Sequence, residues 1–265
     1  MTRKPTLLDL GRAGRRLDGV FVFDAHQHIG TWHPFHIPAP SAADAVRVMD
    51  RIGIDAACTS SIAAVLGCDV RRGNDEVIAA VNEYPGRIFG YIRVSPTDPA
   101  VGTGEEVERC AGAGLRAIKI HNYQGVPYDA EAYRPAYEIA DERGWPILAH
   151  TWEGDMTVID KLAGEYPNAK WLLAHAGVSG PEAYGEIARR RDNVFLETCS
   201  SACAYGLVER LVEDAGVDKV LFGTDMTFLT ATQQVGKVLF ARLSDGDKER
   251  VLGGNARAVF GLPDA

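Results

Sequence analysis

Residues 20–30 read VFVFDAHQHIG, an apolar run that ends in two histidines, His26 and His28. Side chains at i and i+2 of an extended strand face the same side, so these two imidazoles reach toward one point and can share one metal ion. Any further ligands then have to come from the ends of later strands.

Beyond this stretch the chain alternates short β-branched or aromatic runs with longer segments of helical period. The strand candidates are 20–25, 54–59, 87–94, 115–121, 145–150, 170–175, 193–198 and 219–224. Helix candidates fall between them at 42–52, 74–84, 101–113, 130–143, 156–166, 181–190, 203–215 and 231–242, with 245–252 and 256–260 closing the C-terminus. Several strands are introduced by a helix end and a Gly or Pro, as in Arg51-Ile52-Gly53-Ile54 and Arg143-Gly144-Trp145-Pro146. Runs apolar on both faces belong in a buried parallel sheet. Eight βα steps without a composition break predict an α/β protein with a single-domain (β/α)8 TIM barrel over 19–265, preceded by an N-terminal arm, 1–18. An open doubly wound sheet would need a glycine-rich phosphate turn after the first strand, where this chain has His26-Gln27-His28-Ile29-Gly30.

The 265 residues carry a net charge of −8, which argues against nucleic acid or an anionic membrane surface as partner, since both need a basic face. A small molecule is the expected partner, and a homo-oligomer is left open. Five cysteines (Cys58, Cys68, Cys110, Cys199, Cys203) form no CxxC pair, so reduced thiols and a cytoplasmic location are expected. No apolar run has the length of a signal peptide core or a membrane span.

Parallel barrels carry their active sites at the C-terminal ends of the strands. Here those ends present His26 and His28, His121, His150, His175 and Asp225, five of the seven histidines in the chain. His26, His28, His150 and Asp225 together make a borderline donor set suited to one divalent ion, with Zn2+ first and Mn2+ or Fe2+ as alternatives. Taken singly, each has a plainer role: a hydrogen-bonded core histidine, or a helix N-cap for Asp225. Asp24 reads as support for a histidine or a turn.

The ordered set of DAHQH after the first strand, Ala149-His150, AHAG at 174–177, LFGTDMTF at 221–228 and GGNARAVFGL at 253–262 resembles the amidohydrolase superfamily. More narrowly it is similar to the branch of metal-dependent hydrolases, lactonases and nonoxidative decarboxylases, over nearly the whole chain. The resemblance implies a mononuclear centre of His26, His28, His150 and Asp225, with His175 beside a metal-bound water as proton carrier. In binuclear relatives a fourth-strand lysine bridges two metals. Lys119 lies one inward position below the mouth, so one metal is expected, with His121 as a substrate contact.

Hydrolysis of an amide, ester or lactone is the leading expectation: the metal lowers the pKa of bound water toward about 7, and Asp225 or His175 accepts its proton. The runner-up is nonoxidative decarboxylation of a carboxylated aromatic or semialdehyde at the same site. A non-catalytic binding barrel is the third reading, disfavoured because converging buried polar groups are costly to keep without use. The loop 29–40, aromatic and proline-stiffened, is expected to wall the pocket through Trp32, with His33 and His36 as further candidates. Arg93 is a candidate for a two-donor contact to a substrate carboxylate. Trp152 is a further candidate substrate contact, Glu153 and Tyr123 follow other strand ends, and Cys199 is expected to be a buried structural thiol.

Overall fold

The computed structural model describes residues 5–34, 36–67, 69–97, 102–152, 156–178 and 180–263. Cys68, Glu153 and the expected helix start at Val101 lie outside the described residues. The eight apolar runs form β1 (Phe23–Ile29), β2 (Ala56–Ser61), β3 (Ile88–Arg93), β4 (Ala117–Ile120), β5 (Pro146–His150), β6 (Lys170–Ala174), β7 (Val194–Glu197) and β8 (Val220–Leu221). They pair in parallel and in sequence order. The segment after β8 returns to β1, where Ala25 N–H donates to Phe222 O at 3.0 Å and Asp225 N–H to His26 O at 2.7 Å. The result is a nearly closed (β/α)8 barrel.

Local signals explain the helices between the strands. Ser41 and Asp44 form a reciprocal capping box at the start of α2 (Ala42–Ile52), and Gly53 ends it at φ 98°. Pro181 occupies the first turn of α8 (Pro181–Arg190), where its missing N–H is harmless. Two helices go beyond the sequence expectations. The arm carries α1 (Leu7–Arg12), capped by Thr6 and Asp9, which buries Leu7 and Leu10 against the barrel. A four-residue α3 (Ile62–Val65) precedes α4 (Val70–Glu83), which begins at an Asp69 cap, four residues before the expected start. Gly73 explains the miss: a Cβ there would stand 2.4 Å from Ala64 Cβ, so glycine is required for α4 to cross α3 closely.

The core has two shells. Phe23, Ala25, Cys58, Tyr91, Leu148 and Leu172 fill the lumen, closed below by Ala256 and Val259 of α12 (Asn255–Phe260). Alternate residues such as Ile92, Ile147, Trp171 and Leu173 face the surrounding helices. One extra residue in β1 between Asp24 and Gln27 shifts its register on β2. This bulge lets Phe23 and Ala25 face the lumen while His26 and His28 also face inward above them. The histidines therefore lie within a longer β1, not beyond a strand ending at Ala25.

Candidate metal centre

At the mouth of the barrel a cavity of about 160 Å³ takes its apolar lining from Trp32, Val65, Leu66 and Phe228. His26, His28, Lys119, His121, His150, His175 and Asp225 supply the polar lining. Strand alternation places Lys119 and His121 of the β4 edge inward, two and four residues after the lumen residue Ala117. His175 breaks that alternation, because Ala174 already faces the lumen. It lines the cavity with left-handed backbone, φ 59°, and Asp225 does the same at φ 55°. Such conformations are uncommon for non-glycine residues and concentrate at functional sites.

His26, His28 and Asp225 converge. Their facing atoms are His26 Nε2 and His28 Nε2, 3.2 Å apart, and Asp225 Oδ1, 3.2 Å from His28 and 3.7 Å from His26. The opposite ring nitrogens are held elsewhere: His26 Nδ1 by Glu197 Oε2 at 2.9 Å and His28 Nδ1 by Ser60 Oγ at 2.9 Å. With Nδ1–H of His26 donated to Glu197, its Nε2 carries a lone pair. Donors about 2.0–2.2 Å from one ion stand about 3.0–3.6 Å apart, close to the 3.2, 3.2 and 3.7 Å found here. The residues therefore fit one divalent cation.

Electrostatics agree. Burial, helped by the charge of Lys119, holds His26 well below the usual histidine range, so the ring is neutral. Burial pushes the Asp225 carboxyl up, but the His28 hydrogen bond and the neighbouring imidazoles outweigh it and keep the group ionised. Neutral imidazole and carboxylate are the forms that bind metal.

His150 lines the same cavity but stands apart from that trio. Its Nδ1 is 3.1 Å from His175 Nε2, and its ring stacks on His121 with centroids 3.9 Å apart. His175 Nδ1 donates to Cys199 O at 3.0 Å, which leaves Nε2 toward the cavity. Trp152 lies against His175, ring centroids 5.3 Å apart, and Trp32 packs on Phe228 at 5.9 Å and Tyr123 at 6.3 Å. His33 and His36 are exposed and do not line the cavity. Arg93 does not line it either: its buried guanidinium donates to the carbonyls of Val94 and His121 and to Gln124 Oε1. That geometry braces two strand ends. Asp24 likewise holds backbone, accepting from His26 N–H at 3.1 Å and Thr224 N–H at 2.9 Å.

Two participants, Glu197 and Gly223, escaped sequence reasoning. Glu197 and Cys199 lie under the trio, with the Cys199 thiol 3.0 Å from Glu197, 3.1 Å from His26 Nδ1 and 3.2 Å from His175 Nδ1. Burial pushes that thiol far up, so it stays protonated. Gly223 makes their space: a Cβ there would stand 2.2 Å from Glu197 Oε1. Lys119 Nζ sits 3.0 Å from His26 Nε2. Glu197 follows Phe195 at the two-residue period of β7, a pattern that points it inward and was available in the sequence.

Among the described residues the cysteines Cys58, Cys110, Cys199 and Cys203 are free. No helix among the described residues is long and apolar enough to cross a membrane.

The family model described as amidohydrolase matches residues 23–262. A γ-resorcylate decarboxylase from Polaromonas sp. strain JS666 is 24% identical, over 82% of this chain and 86% of that protein. The 5-carboxyvanillate decarboxylase structure from Sphingomonas paucimobilis superposes with a TM-score of 0.72 at 17% identity, covering 92% of this chain and 100% of that one. A dihydroxybenzoic acid decarboxylase from Polaromonas sp. JS666, with bound manganese and 2-nitroresorcinol, superposes at 0.73 with 18% identity, covering 94% and 98%. These relatives overturn the expectation that hydrolysis comes first: all three are decarboxylases. The matched stretch takes in all eight strands and every residue of the converging trio, and the chain belongs to the amidohydrolase family.

Proposed function

We propose that this protein is a metal-dependent nonoxidative decarboxylase of a small carboxylated aromatic acid. The observation that carries this reading is the mixed lining of the cavity, apolar from Trp32, Val65, Leu66 and Phe228 and polar from the imidazoles, Lys119 and Asp225. An aromatic ring suits the apolar residues and a carboxylate the polar ones. The decarboxylase relatives add support. His26, His28 and Asp225 would hold the cation, with His150 as the further candidate ligand. The donor set suits Mn2+, Fe2+ or Zn2+, and the manganese in the Polaromonas structure puts Mn2+ first. When bound, the cation supplies Lewis acidity that draws anionic substrate oxygens to it and stabilises negative charge.

The chain's own residues do the rest. Trp32 and Phe228 cover the ring and exclude water. His175, fixed through Nδ1–H on the Cys199 carbonyl, takes up a proton from solvent on Nε2 before the ring covers it and hands that proton to the ring carbon bearing the carboxylate. The carbon–carbon bond then breaks, its electron pair returns to the ring, and CO2 leaves. No redox partner is required.

The test is incubation of the Mn2+-loaded protein with a panel of hydroxylated and methoxylated benzoates, following CO2 and the matching phenol. Equal amounts of both, abolished by chelator, are expected. No CO2 from any member of the panel contradicts the proposal. The pattern of charge and burial also suits a soluble cytoplasmic enzyme acting on a small molecule.

A further inference from the structure

We infer that Lys119 is the group that binds the substrate's carboxylate, and that it is released for this when a cation takes the His26 Nε2 lone pair. The inference rests on the decarboxylase reading above and names the residue that recognises the acid.

Lys119 is wholly buried and is the only lysine or arginine lining the cavity among the described residues. A buried ammonium is costly unless opposite charge or acceptors surround it. The nearby carboxylates are engaged elsewhere: Glu197 is on His26, and Asp225 is on His26 and His28. Neither forms an ion pair with Lys119 among the described residues. Its close partner is the His26 Nε2 atom, at 3.0 Å.

That partner is also a proposed metal donor. His26 Nδ1 is committed to Glu197, so Nε2 has one lone pair, which either accepts from Lys119 or binds a cation. The two uses exclude one another. Metal loading therefore turns the ammonium toward the cavity without its acceptor, and a carboxylate is the ligand that satisfies it. Arg93, the alternative cation from sequence, is held by Val94, His121 and Gln124. Metal and acid then bind with mutual reinforcement, since coupling between two sites is reciprocal.

The experiment is calorimetric titration of wild type, K119M and K119R with Mn2+, with benzoate and with phenol, the last two with and without metal. In wild type, Mn2+ should tighten benzoate binding at least tenfold. K119M should lose about 30-fold or more in benzoate affinity, as expected for removing one partner of a buried charge pair. It should keep one Mn2+ per chain, bound no more weakly than in wild type because the competitor for Nε2 is gone. Phenol affinity should be unchanged, and K119R should recover part of the benzoate affinity. Benzoate binding by Mn2+-loaded K119M equal to wild type overturns the inference. So does parallel loss of benzoate, phenol and Mn2+ binding, which assigns Lys119 to the fold alone. If Mn2+-loaded wild type binds no benzoate or hydroxybenzoate, the decarboxylase reading fails, and this inference with it.

Discussion

Glu197 Oε2 lies 2.9 Å from His26 Nδ1, and both side chains are shut away from solvent. This contact fixes which nitrogen of His26 faces the cavity, in the manner of a carboxylate that orients a metal-bound histidine. It also explains why position 223 is glycine, since the carboxylate occupies the place of a Cβ. E197A should weaken Mn2+ binding about 10–100-fold. E197Q, which keeps an acceptor, should lose less. Metal titration reads both, and wild-type affinity in E197A would show that Glu197 does not orient the ligand.

His175 is assigned to proton transfer because its Nδ1 is occupied by the Cys199 carbonyl while Nε2 faces the cavity. H175N should abolish turnover and leave metal content near one per chain. Loss of the metal in H175N would make His175 a ligand in place of a proton carrier.

A pH-dependent part of stability sits far from the cavity. Glu106 is buried on α5 (Thr103–Gly112) and accepts from Arg109 at 2.6 and 2.9 Å and from Asn74 at 2.9 Å. Burial pushes its carboxyl up, but the hydrogen bonds from Arg109, Asn74 and Cys110 outweigh burial and hold it below its ordinary 4.5. A carboxyl lowered in the folded state stabilises fully above its unfolded pKa, and the effect is lost as pH falls through the folded value. E106Q should therefore cost about 1–3 kcal/mol at pH 7, measured by urea unfolding. The gap to wild type should narrow as pH falls below 4.5. A gap independent of pH would contradict the assignment.

Much of the barrel was legible because several strands repeat one signal, a helix end followed by Gly or Pro and an apolar run. The elements α2 and α8 match their expected limits because Ser41 and Pro181 mark the starts by local chemistry alone. The start of α4 was hidden by Gly73, whose reason is the approach of α3, a tertiary contact. The convergence of His26, His28 and Asp225 was legible because metal donors are few in kind and these fall at strand ends. The inward turn of His175 was not, since simple alternation from Leu172 and Ala174 points it outward and only its left-handed backbone brings it to the cavity. The bulge in β1 leaves no sequence marker either. The partners of Lys119 and Arg93 depend on which atoms meet across the barrel, and strand periodicity carries no such information.

The most direct test of the account is diffraction from crystals of the Mn2+-loaded protein, with anomalous scattering recorded near the manganese edge. The account predicts one strong anomalous peak within about 2.0–2.3 Å of His26 Nε2, His28 Nε2 and an Asp225 oxygen, with Lys119 turned away from His26. A cavity with no peak, or a peak bound by other residues with Lys119 still on His26, would contradict it.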